Sequence, residues 1–126
     1  MMRVLYVEDN AVDADLARRS LLRYDAKWVV EIAPTLKAAR AMLGQPDRFD
    51  LLLSDLDLPD GSGMELVGEV QERRLNIAVV VLTRSGDERT AVAALKAGAI
   101  DYIAKRTDYT EHLGSTLAAA LVRFRA

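Results

Sequence analysis

The 126-residue chain has no cysteine, and that one absence removes disulfide bridges, thiolate nucleophiles and cysteine-built zinc sites together. Its single histidine, His112, stands alone at the head of the last helical stretch and reads as a surface residue. No apolar run approaches the about 18 residues that a membrane-spanning helix needs, and Met1-Met2-Arg3 passes directly into a strand-like run without a secretion-signal pattern. A dominant charge sign is missing too: a net charge of −2 gives no general reason to expect nucleic acid or an anionic membrane as partner. Repeats, low-complexity tracts and linkers are absent. What remains is 51% hydrophobic, enough for one real core. The expectation is a single soluble, cytoplasmic domain over residues 1–126, either complete or cut from a longer chain.

Within that chain, four short apolar runs each end on a reactive polar residue. Val4-Leu5-Tyr6-Val7 ends on Glu8-Asp9, and Leu51-Leu52-Leu53-Ser54 on Asp55. Ala78-Val79-Val80-Val81-Leu82 ends on Thr83, and Ile100-Asp101-Tyr102-Ile103-Ala104 on Lys105. With Trp28-Val29-Val30-Glu31-Ile32 as strand two, five strand signals alternate with helical stretches. That alternation predicts an α/β fold, a doubly wound five-stranded parallel sheet with right-handed crossovers. Ligands of such sheets bind beyond the carboxyl ends of the strands, so the polar residues should meet on one rim.

The helical stretches carry their own punctuation. Asn10 is a plausible N-cap, with Asp13 three residues on in a capping-box-like pairing, and helix one runs to about Tyr24. Leu36, Ala39 and Leu43 form one apolar stripe on helix two. Asp60-Gly61-Ser62-Gly63 is a turn in which Ser62 and Glu65 form a capping box, and Leu66, Val67 and Val70 follow on helix three. Gly86-Asp87-Glu88 sets acidic residues in the first turn of helix four, where the helix dipole favours them, and Gly98 ends it. Thr107 and Thr110 are the candidate caps of helix five, whose Leu113, Leu117, Leu121 and Phe124 share a face.

On the rim, Glu8, Asp9 and Asp55 are clustered like charges, which raise one another's pKa unless a cation sits among them. Oxygen ligands without imidazole or thiolate suit Mg²⁺, held by few carboxylates and several waters. Asp55 is the best nucleophile, because a carboxylate can attack a phosphoryl group and form an aspartyl-phosphate. Phosphoryl transfer needs positioning and charge neutralisation above all, which Mg²⁺ on one side and Lys105 on the other would supply, with Thr83 donating a hydrogen bond.

The order of these residues resembles the receiver domain of two-component response regulators, the CheY-like, flavodoxin-like fold with strand order 2-1-3-4-5. The likeness covers the whole chain and is carried by Glu8-Asp9, Asp55, Thr83 and Lys105 after strands one, three, four and five. The strings Leu53-Ser54-Asp55-Leu56-Asp57-Leu58-Pro59-Asp60-Gly61 and Ala97-Gly98-Ala99-Ile100-Asp101-Tyr102-Ile103-Ala104-Lys105 agree with it. The resemblance implies a regulatory phosphoacceptor domain rather than an enzyme, one that assists its own phosphotransfer and autodephosphorylation. Asp55 would be the acceptor. Asp9, Asp55 and the backbone carbonyl of Asp57 would hold Mg²⁺, with Glu8 acting through a metal-bound water. The phosphoryl donor would be a sensor histidine kinase or a histidine phosphotransfer protein. Thr83 and Tyr102 would be the switch pair that reports to the face of helix four, strand five and helix five, a face able to pair with a second copy. Neither nucleic acid nor membrane is an implied partner of this domain.

Two departures from the family pattern stand out. Proline usually follows the lysine in a cis peptide, whereas here it is Arg106; a cis non-proline bond costs about 2.5–4 kcal/mol, so a trans bond and an altered loop are expected. The residue after the switch threonine is usually small, whereas here it is Arg84. By the resemblance, Asp57 and Ser85 flank the path of an attacking water, and Arg84 stands beside them. Its side chain is expected in solvent, since fixing an exposed arginine costs conformational entropy. Arg18, Arg19, Arg23 and Lys27 read as a solvated face that could also meet the histidine-bearing partner, Trp28 as core-edge packing, and Arg123 and Arg125 as complements of a helix dipole.

Three other readings compete. Asp55-Leu56-Asp57 near Gly61 is similar to the aspartate-nucleophile phosphohydrolases, but that superfamily sets its motif after the first strand of a larger chain. A flavin binder needs a phosphate-cradling first loop, where Glu8-Asp9-Asn10 would repel phosphate. A receiver-like domain that only mediates contacts would not need all five site positions filled, as they are here.

Overall fold

The structure, a computed structural model, describes residues 1–126 except Ser85. Five strands, β1 (Arg3–Val7), β2 (Val29–Ala33), β3 (Leu51–Asp55), β4 (Ala78–Thr83) and β5 (Asp101–Ala104), form one sheet in the order 2-1-3-4-5. Every pairing in it is parallel. Five helices connect and follow the strands: α1 (Ala11–Tyr24), α2 (Leu36–Leu43), α3 (Met64–Glu72), α4 (Glu88–Ala97) and α5 (Leu113–Arg125). This is the doubly wound α/β architecture expected from the alternation of runs. Among the described residues no helix is long and apolar enough to cross a membrane.

Helices on both faces explain why the strands read as unbroken apolar runs rather than alternating ones. Side chains on a strand point alternately to opposite faces. Leu5, Val7, Leu52, Val79 and Val81 therefore pack under Leu36 and Leu43 of α2, Leu66 and Val70 of α3 and Ala94 of α4. Val4, Tyr6, Leu51, Leu53, Val80 and Leu82 pack under Ala17 and Leu21 of α1 and Leu113 and Leu117 of α5. Trp28 is buried in that second layer, tilted against the Tyr24 ring at 5.2 Å between centroids. The register sets Val7 beside Ser54, Asp55 beside Leu82 and Thr83 beside Ala104, so the central strands end almost level and their polar terminal residues share one rim.

The caps follow the sequence in part. Asn10 accepts from the amides of Val12 and Asp13, both at 3.0 Å, but Asp13 does not close a box; the Asn10 amide is turned toward Glu8 Oε2 instead, at 3.5 Å. Ser62 and Glu65 do act reciprocally, Ser62 Oγ accepting from the Met64 amide and Glu65 Oε2 from the Ser62 amide, both at 3.1 Å. Asp87 is the N-cap of α4 rather than part of its first turn. Neither Thr107 nor Thr110 caps α5. A 3-10 turn over Tyr109–His112 leads into it, and the Thr110 carbonyl accepts from Ser20 Oγ on α1, so tertiary contact with α1 sets that entry. An antiparallel ribbon pairing Asp57–Leu58 with Gly61–Ser62 also went unread, being two residues per strand.

At the opposite end of the sheet, Asp50 gathers Arg3 and Arg125. Its Oδ2 accepts from the Arg3 amide at 2.8 Å, and its Oδ1 from Arg3 Nη2 at 3.2 Å and Arg125 Nη2 at 3.0 Å. Burial alone would raise the Asp50 carboxyl, but its bonds to Arg3 and the two guanidinium charges outweigh that and hold it below the ordinary carboxylate range. A carboxyl depressed in the folded state contributes stability above its unfolded value of about 3.9 and loses it as pH falls through the folded value. Asp50→Asn should therefore cost about 1–3 kcal/mol in urea unfolding at pH 7. The gap from wild type should narrow at pH 3, and an equal gap at both pH values would contradict this account.

Candidate functional site

The rim brings Glu8, Asp55 and Lys105 into direct contact. Asp55 is the last residue of β3 and 8% exposed; its Oδ2 accepts from Lys105 Nζ at 2.5 Å and its Oδ1 from the Asp57 amide at 2.9 Å. Glu8 follows β1 and is buried at 2% exposure, its Oε1 accepting from the same Nζ at 2.5 Å and from the Tyr6 hydroxyl at 3.3 Å. Asp9, one residue on, is exposed, the outcome of adjacent side chains leaving a strand end on opposite sides. A fourth acid, Asp13 on α1, has Oδ2 3.9 Å from Nζ. Thr83, buried at the end of β4, accepts the Lys105 amide through its carbonyl at 2.8 Å, so the lysine is anchored by the sheet itself. Tyr102 lies on β5 with its side chain at the surface, 38% exposed.

Electrostatically the cluster is acid-rich around one ammonium. Burial pushes the Glu8 carboxyl up, the bond from Lys105 pulls it back, and Asp55 nearby pushes it further up. For Lys105, burial acts to lower the ammonium, but bonds to Asp55 and Glu8 and their charges prevail and keep it above its ordinary value. The ammonium is thus firmly charged and shared between two carboxylates. Among the described residues no three acidic or imidazole side chains form a ready cage for a metal.

Lys105→Met tests what that sharing is worth. Breaking a buried pair by removing one partner costs about 3 kcal/mol, because the remaining charges are uncompensated. Urea unfolding at pH 7 should show a loss of that order, and added Mg²⁺ should return more stability to the variant than to wild type. Equal stability of the two proteins would mean that the ammonium is not holding the acids in place.

Arg84 holds its side chain largely in solvent, as expected, and makes one ion pair there. Its side chain is 77% exposed, yet Nε donates to Asp57 Oδ2 at 2.8 Å, tying the segment after β4 to the segment after β3. The pair borders an open cleft of about 430 Å³ lined by Asp57, Ser62, Thr83 and Asp87. Ser85, the other residue expected beside the water path, lies outside the described residues. The Lys105–Arg106 bond is trans, and the turn continues through the Tyr109 amide donating to the Arg106 carbonyl at 3.1 Å. His112 and the basic residues Arg18, Arg19, Arg23 and Lys27 are all exposed.

A family model for the response regulator receiver domain matches residues 4–115. The chain belongs to that family. The chain is 39% identical over 115 residues to the photosynthetic apparatus regulatory protein RegA of Rhodobacter capsulatus, covering 91% of this chain and 60% of that one. It is 35% identical over 125 residues to the methanogenesis regulatory protein FilR1 of Methanothrix harundinacea, covering 97% of this chain and 28% of that one. This receiver therefore spans between about a quarter and three fifths of the length of these relatives. Among solved structures it resembles the signal receiver domain of a putative LuxO repressor protein from Vibrio parahaemolyticus, with a TM-score of 0.87, 26% identity, and 98% and 92% of the two chains covered. The receiver is a regulatory domain of two-component signalling, and the phosphohydrolase reading has no support.

Three residues beside Glu8, Asp55 and Lys105 carry no clear signal in the sequence. In the sequence Tyr6 is one more residue of an apolar run, although its place two residues before Glu8 puts both on one face of β1. Tyr109 gave no signal from so far along the chain. Gly63 belongs by sequence to a turn, but it is buried, and a Cβ there would stand 2.2 Å from the Asp55 carbonyl oxygen.

Proposed function

We propose that Asp55 is the phosphoacceptor of this receiver, taking a phosphoryl group from a phosphohistidine on a sensor histidine kinase or a histidine phosphotransfer protein. The observation that carries the reading is the Asp55 carboxylate at the end of β3, bonded to the Lys105 ammonium and beside buried Glu8. An Asp55 carboxylate oxygen attacks phosphorus as the bond from phosphorus to the imidazole nitrogen breaks, and the imidazole leaves with that electron pair. Lys105 follows the charge onto a phosphoryl oxygen, and Thr83 donates its hydroxyl to another. The donor set is all oxygen and supplies two rim carboxylates, Asp9 and Asp55, with the Asp57 carbonyl and with Glu8 through a water, which fits a hard cation that keeps several waters. A Mg²⁺ ion held there would neutralise negative charge on the phosphoryl oxygens.

Drawing Thr83 toward the phosphoryl group would free space behind it for Tyr102, whose surface position leaves room to turn inward. That couples Asp55 to the face of α4, β5 and α5, where Val92, Leu95, Tyr102 and Val122 are exposed and could meet a second copy. Such a change is a population shift, driven only by a difference in affinity between the two states. Water attack on the aspartyl-phosphate ends the signal, and the Arg84–Asp57 pair stands over one flank of that approach.

The test is intact-mass measurement after incubation with acetyl phosphate. One added phosphoryl group is expected with Mg²⁺ and none after chelation, and hydroxylamine should remove it. A protein that stays unmodified would refute the acceptor reading.

A further inference from the structure

The Tyr109 hydroxyl is the one buried side-chain polar atom without a hydrogen-bond partner among the described residues. Leaving a buried hydroxyl unpaired costs on the order of 1–3 kcal/mol, so its placement calls for an explanation. Tyr109 lies in the 3-10 turn four residues beyond Lys105 and packs on the layer that contains Tyr6. The charges of Lys105, Asp13 and Glu8 all bear on it, and the Tyr6 hydroxyl is its neighbour in the same layer.

Tyr6 itself is fully buried and donates to Glu8 Oε1 at 3.3 Å, a long bond to an oxygen that takes Lys105 Nζ at 2.5 Å. Three donors thus stand in line toward one carboxylate: an ammonium in close contact, a hydroxyl in loose contact and a second hydroxyl behind it. The ammonium is the one with other work to do. Once it turns to a phosphoryl oxygen, the protein donors left to Glu8 are the loose Tyr6 bond and the Asn10 amide at 3.5 Å, little to aim a carboxylate that is 2% exposed and must also hold a metal-bound water.

We propose that Tyr6 and Tyr109 are positioning residues for Glu8, forming a hydroxyl chain that takes over its carboxylate when Lys105 leaves it. Tyr109 O–H donates to the Tyr6 oxygen, Tyr6 O–H closes onto Glu8 Oε1, and each bond strengthens the other, as linked hydrogen bonds do at low dielectric. Glu8 then stays aimed at the rim throughout transfer, and the turn between β5 and α5 draws in toward β1. This rests on the reading of Asp55 as phosphoacceptor.

Thermal unfolding of wild type, Tyr6→Phe, Tyr109→Phe and the double variant, with and without Mg²⁺ plus beryllofluoride as a phosphoryl mimic, separates the possibilities. Phenylalanine keeps the ring and removes only the hydroxyl. Without the mimic, Tyr109→Phe should be at least as stable as wild type, since it loses an unpaired polar group. With it, the apparent affinity for beryllofluoride should fall about tenfold in each single variant, the equivalent of one hydrogen bond, and little further in the double variant. A merely structural role would leave that loading affinity unmoved. If wild type is stabilised by the mimic and both single variants load equally well, the hydroxyl chain is wrong while the acceptor reading stands. If wild type is not stabilised at all, the acceptor reading falls and this inference falls with it.

Discussion

Asp55→Asn should abolish phosphorylation by acetyl phosphate, leaving the intact mass unchanged under conditions that modify wild type fully. The amide occupies the same volume and can still accept from the Asp57 amide, which now bonds Asp55 Oδ1 at 2.9 Å. What it lacks is a negatively charged oxygen able to attack phosphorus. The fold should survive, because Lys105 retains Glu8 as an ion-pair partner at 2.5 Å. Asp9→Asn offers an instructive contrast. Asp9 is exposed and makes no bond to Lys105, so its loss should raise the Mg²⁺ concentration required rather than remove the acceptor. Undiminished modification of Asp55→Asn would move the acceptor to another carboxylate, of which Asp57 is the nearest in sequence.

Gly63→Ala should be among the most damaging small substitutions in the chain, costing about 3 kcal/mol. Gly63 has ordinary helical dihedrals, φ −58° and ψ −19°. At such a position alanine commonly stabilises by about 0.4–1 kcal/mol by restricting the unfolded chain. Space decides otherwise here. The added Cβ would lie 2.2 Å from the Asp55 carbonyl oxygen and 2.8 Å from Ser54 Oγ, and the first of these is backbone that cannot rotate away. Overpacking of this kind costs typically 1–3 kcal/mol, occasionally more, and it outweighs the entropic gain. The displaced atoms carry Asp55, so urea unfolding and phosphorylation rate should fall together. Stability within about 0.5 kcal/mol of wild type would show that β3 and the head of α3 are not in tight contact.

The sequence was most legible where one physical signal dominated. Buried parallel strands must be continuously apolar, so each polar residue that ended a run marked a strand terminus, and the register then brought Glu8, Asp55, Thr83 and Lys105 to one rim. Local hydrogen bonding made Asn10 and Ser62 readable as caps. Failure came where tertiary contact overrode a local rule. Ser20 on α1 claims the Thr110 carbonyl, and the chain turns into α5 without either threonine as cap. The Asp57–Arg84 ion pair and the Tyr6–Tyr109 neighbourhood join residues far apart along the chain, and no periodicity encodes such meetings. Entropy argued for an Arg84 in solvent, and its side chain is largely there, paired to an exposed carboxylate that the sequence did not announce.

The Asp50 clamp also has a topological meaning. Arg3 at the start of β1 and Arg125 at the end of α5 share one carboxylate, so the backbone nearly closes into a ring. Both ends lie at the amino-terminal edge of the sheet, across the whole thickness of the domain from Asp55. A label or tether joined to either end would hang from the far pole, clear of the rim that carries Asp55. A pull applied between the ends would load the Asp50 ion pairs together with the Met2–Val29 bond that opens the pairing of β1 with β2.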